Sequence, residues 1–428
     1  MSQKTNVLLI LIVLLLTTPM AVAQTIIVDI ARNGDYTSIG DAVANADTGD
    51  TIRVMPGVYS ENVKVDRQVN LVAEGDVIVR PASVEAHTFH IAADNVTIDG
   101  FRIEREEIPF GAWDAGILLD SADNVTVINN VVSGHTRGID LDFSNNNVLE
   151  NNSVSNNVDG IFLHVSFGNT LRNNTMQSNH FNFGAYTFNG NMDNDIGVDN
   201  LVNGKPIYYL VNRSNIVLDS SVDCGTIYCI NCNNISVMDQ IIGDNTYGLF
   251  LYNSEGVVLD NITISDTMTG VYSYGSSGIL LNNSVISGSV YEGVNFMESD
   301  DSVVANNTIF DNEIGFNLYY SSDNLVYNNL FNNMVNVVSE GGMNTWNTTL
   351  TNSTNIAGSL WLGGNVWSMP DGKGFSQKSV DKDRNNISDV SYQIPNDGVD
   401  ELPIFVGSHE FSILYSLKIF VSKVLSLF

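Results

Sequence analysis

Three residues of one kind of chemistry recur at a fixed step. Asp120, Asp142 and His164 each stand four residues after a glycine, 22 residues apart, and Asp140 lies two residues before Asp142. Residues two apart on an extended chain share a face. If the three segments stack as neighbouring strands, the groups form a column about 4.8 Å from rung to rung. Acidic groups so close should push one pKa upward. That suits general acid/base work on a glycosidic bond or capture of Ca²⁺ by oxygen ligands, and a passive polar face is the third alternative. Arg137 and Asp159, each next to a glycine, border the strip.

A second column follows in the later part of the chain. Tyr252, Tyr274, Met297 and Tyr319 come four residues after their glycines, and Phe250, Tyr272, Asn295 and Asn317 come two after. With the residues one and three after each glycine apolar and facing in, these two columns should face out. Flat rings flanked by amides and carboxylates suit the faces and hydroxyls of sugars, so Phe250, Tyr252, Tyr272, Tyr274 and Tyr319 are the expected glycan platform. A loop or a second subunit over the stripe is the alternative. Near the C-terminus, Asp381, Asp383, Asn385 and Asp389 form D-x-D-x-N-x-x-x-D, a Ca²⁺-loop pattern in which Ile387 would give its carbonyl. Asn386 stands where such loops usually have glycine, and no glutamate closes the site.

These residues are positioned by a repeat. Glycine-led alternating stretches begin at Gly116, Gly138, Gly160 and Gly184, then at Gly225, Gly248, Gly270, Gly293 and Gly315, with steps of 22 to 24 residues inside each run. GIDLDFSNNNVLENNSVSNN and GIFLHVSFGNTLRNNTMQSN match almost position for position. Short runs with period-two alternation, broken by Asn, Ser and Gly, read as strands and turns. A period of this size means a solenoid whose repeats bury their apolar faces only by stacking. About twelve coils are expected, a rod of roughly 60 Å. The paired asparagines, such as Asn129 and Asn130 or Asn151 and Asn152, fall at one corner of every coil, where amides can form ladders.

Residues 1–23, with Lys4, the run VLLILIVLLL and Ala21-Val22-Ala23, read as a secretory signal peptide, with an uncleaved anchor as the rival. The rod is then extracytoplasmic. Residues 24–80 hold a cap and the first coils, in which Ile39, Ala42, Val43 and Ala46 line one face of a short helix that hides strand edges. The coils run over residues 81–340, interrupted at 189–215 by an expanded coil with a loop leaving the rod, where Asp193, Asp195, Tyr208 and Tyr209 could bind. Residues 341–407 form a closure with Trp346, Trp361 and Trp367.

The formal net charge is −30, and no Lys or Arg occurs between Arg213 and Lys373, so nucleic acid and other polyanions are poor partners there. Cys224, Cys229 and Cys232 suggest one local disulfide with a thiol left over; a metal site is the sharper alternative. Twelve Asn-x-Ser/Thr sequons arise largely from the repeat itself, and Asn347 and Asn386 are the expected acceptors in a glycosylating host. In the tail, residues 408–428, the stretch 411–428 has Ser412, Ser416, Lys418, Ser422, Lys423 and Ser426 on one side of a helical wheel, which fits contact with a membrane surface better than crossing it. Packing on the last coil is the alternative.

The coil repeat, the cap ending in GDTIRVMPGVYSENV, the insertion GKPIYYLVNRS and the closing GGNVWSMPDGKGFSQ…DKDRNNISDVSYQIPNDGVDELPI together resemble the NosD-like, carbohydrate-binding and sugar-hydrolase group of right-handed parallel β-helix proteins, from about Thr25 to about Pro403. The resemblance implies an all-β, pectate-lyase-like solenoid of the secreted archaeal cell-surface type. The copper link in the NosD name calls for ligands, yet His87, His90, His135, His164, His180 and His409 are scattered and no Met/His cluster recurs. The pectate lyase signature R-x-P-x-x-R and the G-H-G, D-D and R-I-K signatures of polygalacturonases are also absent. The expectation is a cell-surface glycan or polysaccharide binder with a structural Ca²⁺. The alternatives are a lyase or glycoside hydrolase using Asp120, Asp140, Asp142 and His164, and a structural surface-layer element that self-assembles laterally.

Overall fold

The structure is a computed structural model that describes residues 23–83, 85–105, 113–188 and 190–407. It is an all-β parallel β-helix, as the repeat requires. Each coil gives one short strand to each of three sheets, and equivalent strands pair in parallel with the next coil, as Ile139 with Ile161 and Leu141 with Leu163. The longest sheet stacks fourteen strands. Residues one and three after each glycine are fully buried, including Ile139, Leu141, Leu249 and Leu251.

The asparagine pairs divide two tasks. The first members, Asn129, Asn151 and Asn173, turn the corner in the left-handed region at φ 59°, 55° and 54°, which asparagine tolerates better than most residues. The second members point inward and are buried. Asn130 donates from its backbone N (3.0 Å) and Nδ2 (3.1 Å) to Asn152 Oδ1. Asn152 does the same to Asn174 at 3.0 and 2.9 Å, and Asn174 to Asn200 at 3.1 and 2.8 Å. Parallel ladders run through Asn147, Asn169 and Asn194 and through Asn157, Asn179 and Asn182.

The stack is not one uninterrupted rod. Strands Leu201–Val202 and Lys205–Val211 pair antiparallel across Asn203 and Gly204, both at positive φ, 48° and 80°. That is the two-residue hairpin turn whose twist suits paired strands. Strand direction therefore reverses, and a second solenoid grows from Lys205–Val211 through Thr226–Ile230 to Val335–Glu340. The segment 189–215, expected to be a loop leaving one coil, is the joint between two solenoids. Asp195–Ile196 and Leu201–Val202 finish the first solenoid, and Lys205–Val211 starts the second.

Each open end is covered. At the N-terminus, the helix Ile39–Asn45 buries Ile39, Ala42 and Val43. Its first turn is tied down by Glu61, which accepts from Ile39 N (3.0 Å) and Gly40 N (2.9 Å). At the joint, the side chains of the second solenoid's glycine-led sheet lie over the last coil of the first. Tyr228 stands edge-on to Phe183, ring centroids 5.5 Å apart, and Ala185 N donates to its hydroxyl at 3.2 Å. At the C-terminus, Trp367 stacks on Phe331 at 5.0 Å. Asp400, fully buried, accepts from Asn365 N (2.8 Å), Trp367 Nε1 (2.9 Å) and Leu402 N (3.0 Å). The three cysteines are separate thiols, all buried, rather than a disulfide and a leftover; Cys232 Sγ donates to Leu210 O at 3.3 Å.

Two outcomes test this packing. Tyr228→Ala removes a fully buried ring from the joint and should cost about 3–5 kcal/mol in denaturant unfolding. Burial pushes the Asp400 carboxyl up to about 7, against about 4 in an unfolded chain. The native closure thus holds a proton that the unfolded chain has lost. Its stability should fall as pH rises from about 4 to 7, by up to about 4 kcal/mol, and then level off. Tryptophan-monitored unfolding across that range should show the slope, and Asp400→Asn should flatten it.

Candidate functional site

On the first solenoid, strands Ala115–Asp120, Arg137–Asp142, Asp159–His164 and Phe181–Tyr186 lie side by side. Their register makes one column of Asp120, Asp142, His164 and Tyr186 and another of Leu118, Asp140, Phe162 and Gly184. The acidic column anticipated from the spacing therefore exists. It is organised as two carboxylate–imidazole pairs: His90 Nε2 lies 3.0 Å from Asp120 Oδ2, and His164 Nδ1 lies 2.7 Å from Asp142 Oδ1. With Nδ1 held by Asp142, the Nε2 edge of His164 is left for another partner.

Asp140 belongs to a different group. It is only 5% exposed, paired at 2.7 Å with Arg137, which also approaches Asp159 at 3.5 Å and lies over the Phe162 ring at 4.9 Å. Burial outweighs the guanidinium, raising the Asp140 carboxyl and carrying Asp159 up to about 6. One oxygen of each, Oδ1, is buried without a hydrogen-bond partner. Asp140 is thus behind the surface, and the accessible acids are Asp120 and Asp142.

Rings that the glycine spacing did not single out surround His164. Tyr186 stacks on it at 6.3 Å, and Phe143 and Phe188 stand edge-on at 5.7 and 6.4 Å. Phe143 and Phe188 are 47% and 67% exposed. Their signal was present in the sequence: Phe143 follows Asp142 directly and Phe188 lies two residues after Tyr186, on turns that carry a strand face onward.

The expected platform on the second solenoid is corrected. Phe250 and Tyr272 are 1% and 8% exposed, stacked with Tyr228 in a continuous series at 5.3 and 5.1 Å. They point out of their own solenoid, but the end of the first solenoid covers them. Tyr252 and Tyr274 remain partly exposed, stacked at 5.5 Å with planes 5° apart. Tyr319 is also partly exposed, edge-on to Tyr320 at 4.5 Å. Burial and then Tyr186 raise the Tyr272 hydroxyl, and a Cβ on Gly190 would meet the Tyr252 hydroxyl at 2.6 Å. The Asp142–His164 site and the Tyr252–Tyr274 pair therefore approach each other at the joint.

In the Asp381–Asp389 loop the acids serve the backbone. Asp381 accepts from Asn385 N (3.1 Å) and Asn386 N (2.9 Å), Asp383 from Asn385 Nδ2 (2.9 Å), and Asp389 from Lys382 N (2.9 Å). Ile387 N donates to Asn385 Oδ1 at 2.7 Å, and Asn386 takes the left-handed conformation, φ 66°, that glycine usually supplies. Among the described residues no three His, Cys, Asp or Glu side chains form a group that could hold a metal ion. The tail 411–428 lies outside the described residues, and among those described no helix is long and apolar enough to cross a membrane.

The sequence matches the family described as periplasmic copper-binding protein (NosD) twice, over residues 43–196 and 182–372, one match for each solenoid. The description implies copper, but among the described residues the donors do not gather to fit it: no three His, Cys, Asp or Glu side chains come together to hold a metal ion, His135 is buried against Thr88 Oγ1 at 3.0 Å, and the cysteines are buried. A cell surface glycoprotein of Methanothermus fervidus is 33% identical over 99 residues, 23% of this chain and 16% of its own length, so the match spans a small part of that relative. Among solved structures, the mannuronan C-5 epimerase AlgE6 A-module of Azotobacter vinelandii is 16% identical with a TM-score of 0.30, over 77% of this chain and 78% of that one. Pectate lyase Pel9A is 13% identical with a TM-score of 0.35, over 76% and 79%. The two family matches together span most of the chain and both solenoids, and the protein belongs to the NosD family.

Proposed function

We propose that the protein is an extracytoplasmic cell-surface β-helix that binds polysaccharide along the glycine-led face of the first solenoid and across the joint. The observation that carries this reading is the Asp142–His164 pair set among Phe143, Tyr186 and Phe188. Exposed rings beside paired polar groups match the apolar faces and hydroxyls of sugars. Tyr252 and Tyr274 extend the surface. The name of the Methanothermus fervidus relative and the periplasmic family description support the location. The accessible charges on the face are acidic, and Arg137 is held by Asp140 and Asp159, so the ligand is a neutral or amino-bearing glycan rather than a polyanion.

A second reading is glycoside cleavage at the same face. It is favoured by Asp142, an accessible acid paired at 2.7 Å with the His164 imidazole, since an acid and a base side by side are what general acid/base work on a glycosidic bond needs.

A glycan array with the full chain, followed by affinity measurements on the sugars retained, tests both. Phe188→Ala should weaken binding roughly 2- to 10-fold, the range for one ring contact, and His164→Ala should do the same or more. Phe250→Ala should leave affinity unchanged and instead lower stability by about 3–5 kcal/mol. An empty array, or retention indifferent to Phe188→Ala and His164→Ala, sinks the binding site. Release of reducing ends that stops in Asp142→Asn would move the assignment to the enzyme.

A further inference from the structure

The closure contains a separate cavity of about 580 Å³, lined by Leu360, Trp361, Phe405, Arg384, Asn385 and Asn386 among others. Its size is ordinary for a small-molecule site. Both walls are fixed. On one side, Asn355 ties the turn before Trp361, donating from Nδ2 to Ser359 Oγ at 2.6 Å and to Trp361 O at 2.8 Å. On the other, Asp381 holds Asn385 and Asn386 by their backbone N–H groups, and Phe405 N donates to Asn386 O at 2.9 Å. An isolated antiparallel bridge between Ile387 and Ile404 joins the loop to the segment that carries Phe405.

We infer that this cavity is a second ligand site, and that its ligand is a sugar residue bearing a carboxylate. Trp361, Phe405 and Leu360 offer flat or apolar walls for the C–H face of a pyranose, with Leu360 67% exposed. Asn385 and Asn386 supply amides for hydroxyls. Arg384 supplies a permanently charged planar fork matched to a carboxylate. Its presence sets the ligand class, because 159 consecutive positions, 214 to 372, contain no Lys or Arg before the cations of this segment begin at Lys373. Arg384 is the charged side chain among the residues that line the cavity, and the carboxylates of Asp381 and Asp389 are turned to backbone N–H groups of the loop. The site is independent of the first-solenoid face, which is acidic and selects the opposite kind of sugar.

The test is a fluorescence titration of the full chain with trigalacturonate and, in parallel, galactotriose. Trp346 and Trp367 are buried, so a ligand in the cavity should report through Trp361. The expected result is saturable quenching by trigalacturonate that disappears in Trp361→Phe, persists in Trp113→Phe, and is at least ten-fold weaker for galactotriose. Arg384 sits at φ 59°, where asparagine is at home, so Arg384→Asn keeps the turn and should lose at least ten-fold in affinity, while Arg384→Lys keeps part of it. Phe188→Ala should change nothing here. Equal response to both trisaccharides, quenching indifferent to Arg384→Asn, or no saturable quenching overturns the assignment.

Discussion

The amide ladders have a direction, and the architecture follows from it. In a typical rung, such as Asn130 to Asn152 or Asn307 to Asn329, an asparagine gives its backbone N–H and its Nδ2–H to the Oδ1 of the asparagine one coil later, so the coil asks the next one for an acceptor. A buried donor without one costs about 1–3 kcal/mol. A ladder therefore cannot simply stop. In the second solenoid the series Asn307, Asn329, Asn365 ends on Asp400, and the series Asn324, Asn344 ends on Asp397, which accepts from Asn344 N and Nδ2 at 2.7 Å each. Both terminal groups are carboxyls, whose two oxygens can receive the N–H groups that end the series. In the first solenoid the ladder through Asn157 and Asn179 ends at Asn182, whose N and Nδ2 donate to Asp244 O at 2.7 and 3.0 Å. That carbonyl belongs to the second solenoid.

The joint thus completes a hydrogen-bond series as well as an apolar core. The same coverage decides which aromatic residues remain for ligands. Tyr228, Phe250 and Tyr272 point outward from their own strands, yet they form one cluster with Phe183, Ala185 and Met192 of the first solenoid. Two residues further along their strands than Phe250 and Tyr272, Tyr252 and Tyr274 clear the end coil and stay partly exposed. Burial is set by the neighbour, while the direction of a side chain is set by its strand.

This separates what the sequence could and could not show. The glycine-led repeat exposed the solenoid, because period and alternation are local properties. It also exposed the Asp120, Asp142 and His164 column, because in-register stacking carries spacing directly into geometry. The exposure expected of Phe250 and Tyr272 failed, although their facing held, because the facing rule describes one coil against its own axis and contains nothing about a second solenoid. The reversal had a local sign, Val202-Asn203-Gly204-Lys205, a hairpin dipeptide between extended runs, but the long gap before Gly225 resembles an insertion unless that dipeptide is given precedence. The D-x-D-x-N pattern was equally ambiguous: its oxygens can face a cation or their own backbone, and here Asp381, Asp383 and Asp389 face the backbone and Asn385.

That last choice links the closure to function. Asp381 and Asp389 accept from the loop's own N–H groups, which braces the turn that carries Arg384 and Asn386 on the cavity wall with Trp361. The same economy operates at the first site, where Asp142 fixes the His164 ring and leaves its other edge toward Phe143 and Phe188. In both places an acidic residue acts on the position of its neighbour, and the neighbour is the group proposed to meet a ligand. A chain with a formal charge of −30 can therefore present two surfaces of unlike preference. What matters at each is what the carboxylates hold in place: an imidazole among rings on the solenoid face, and the backbone of the turn that carries Arg384 in the closure.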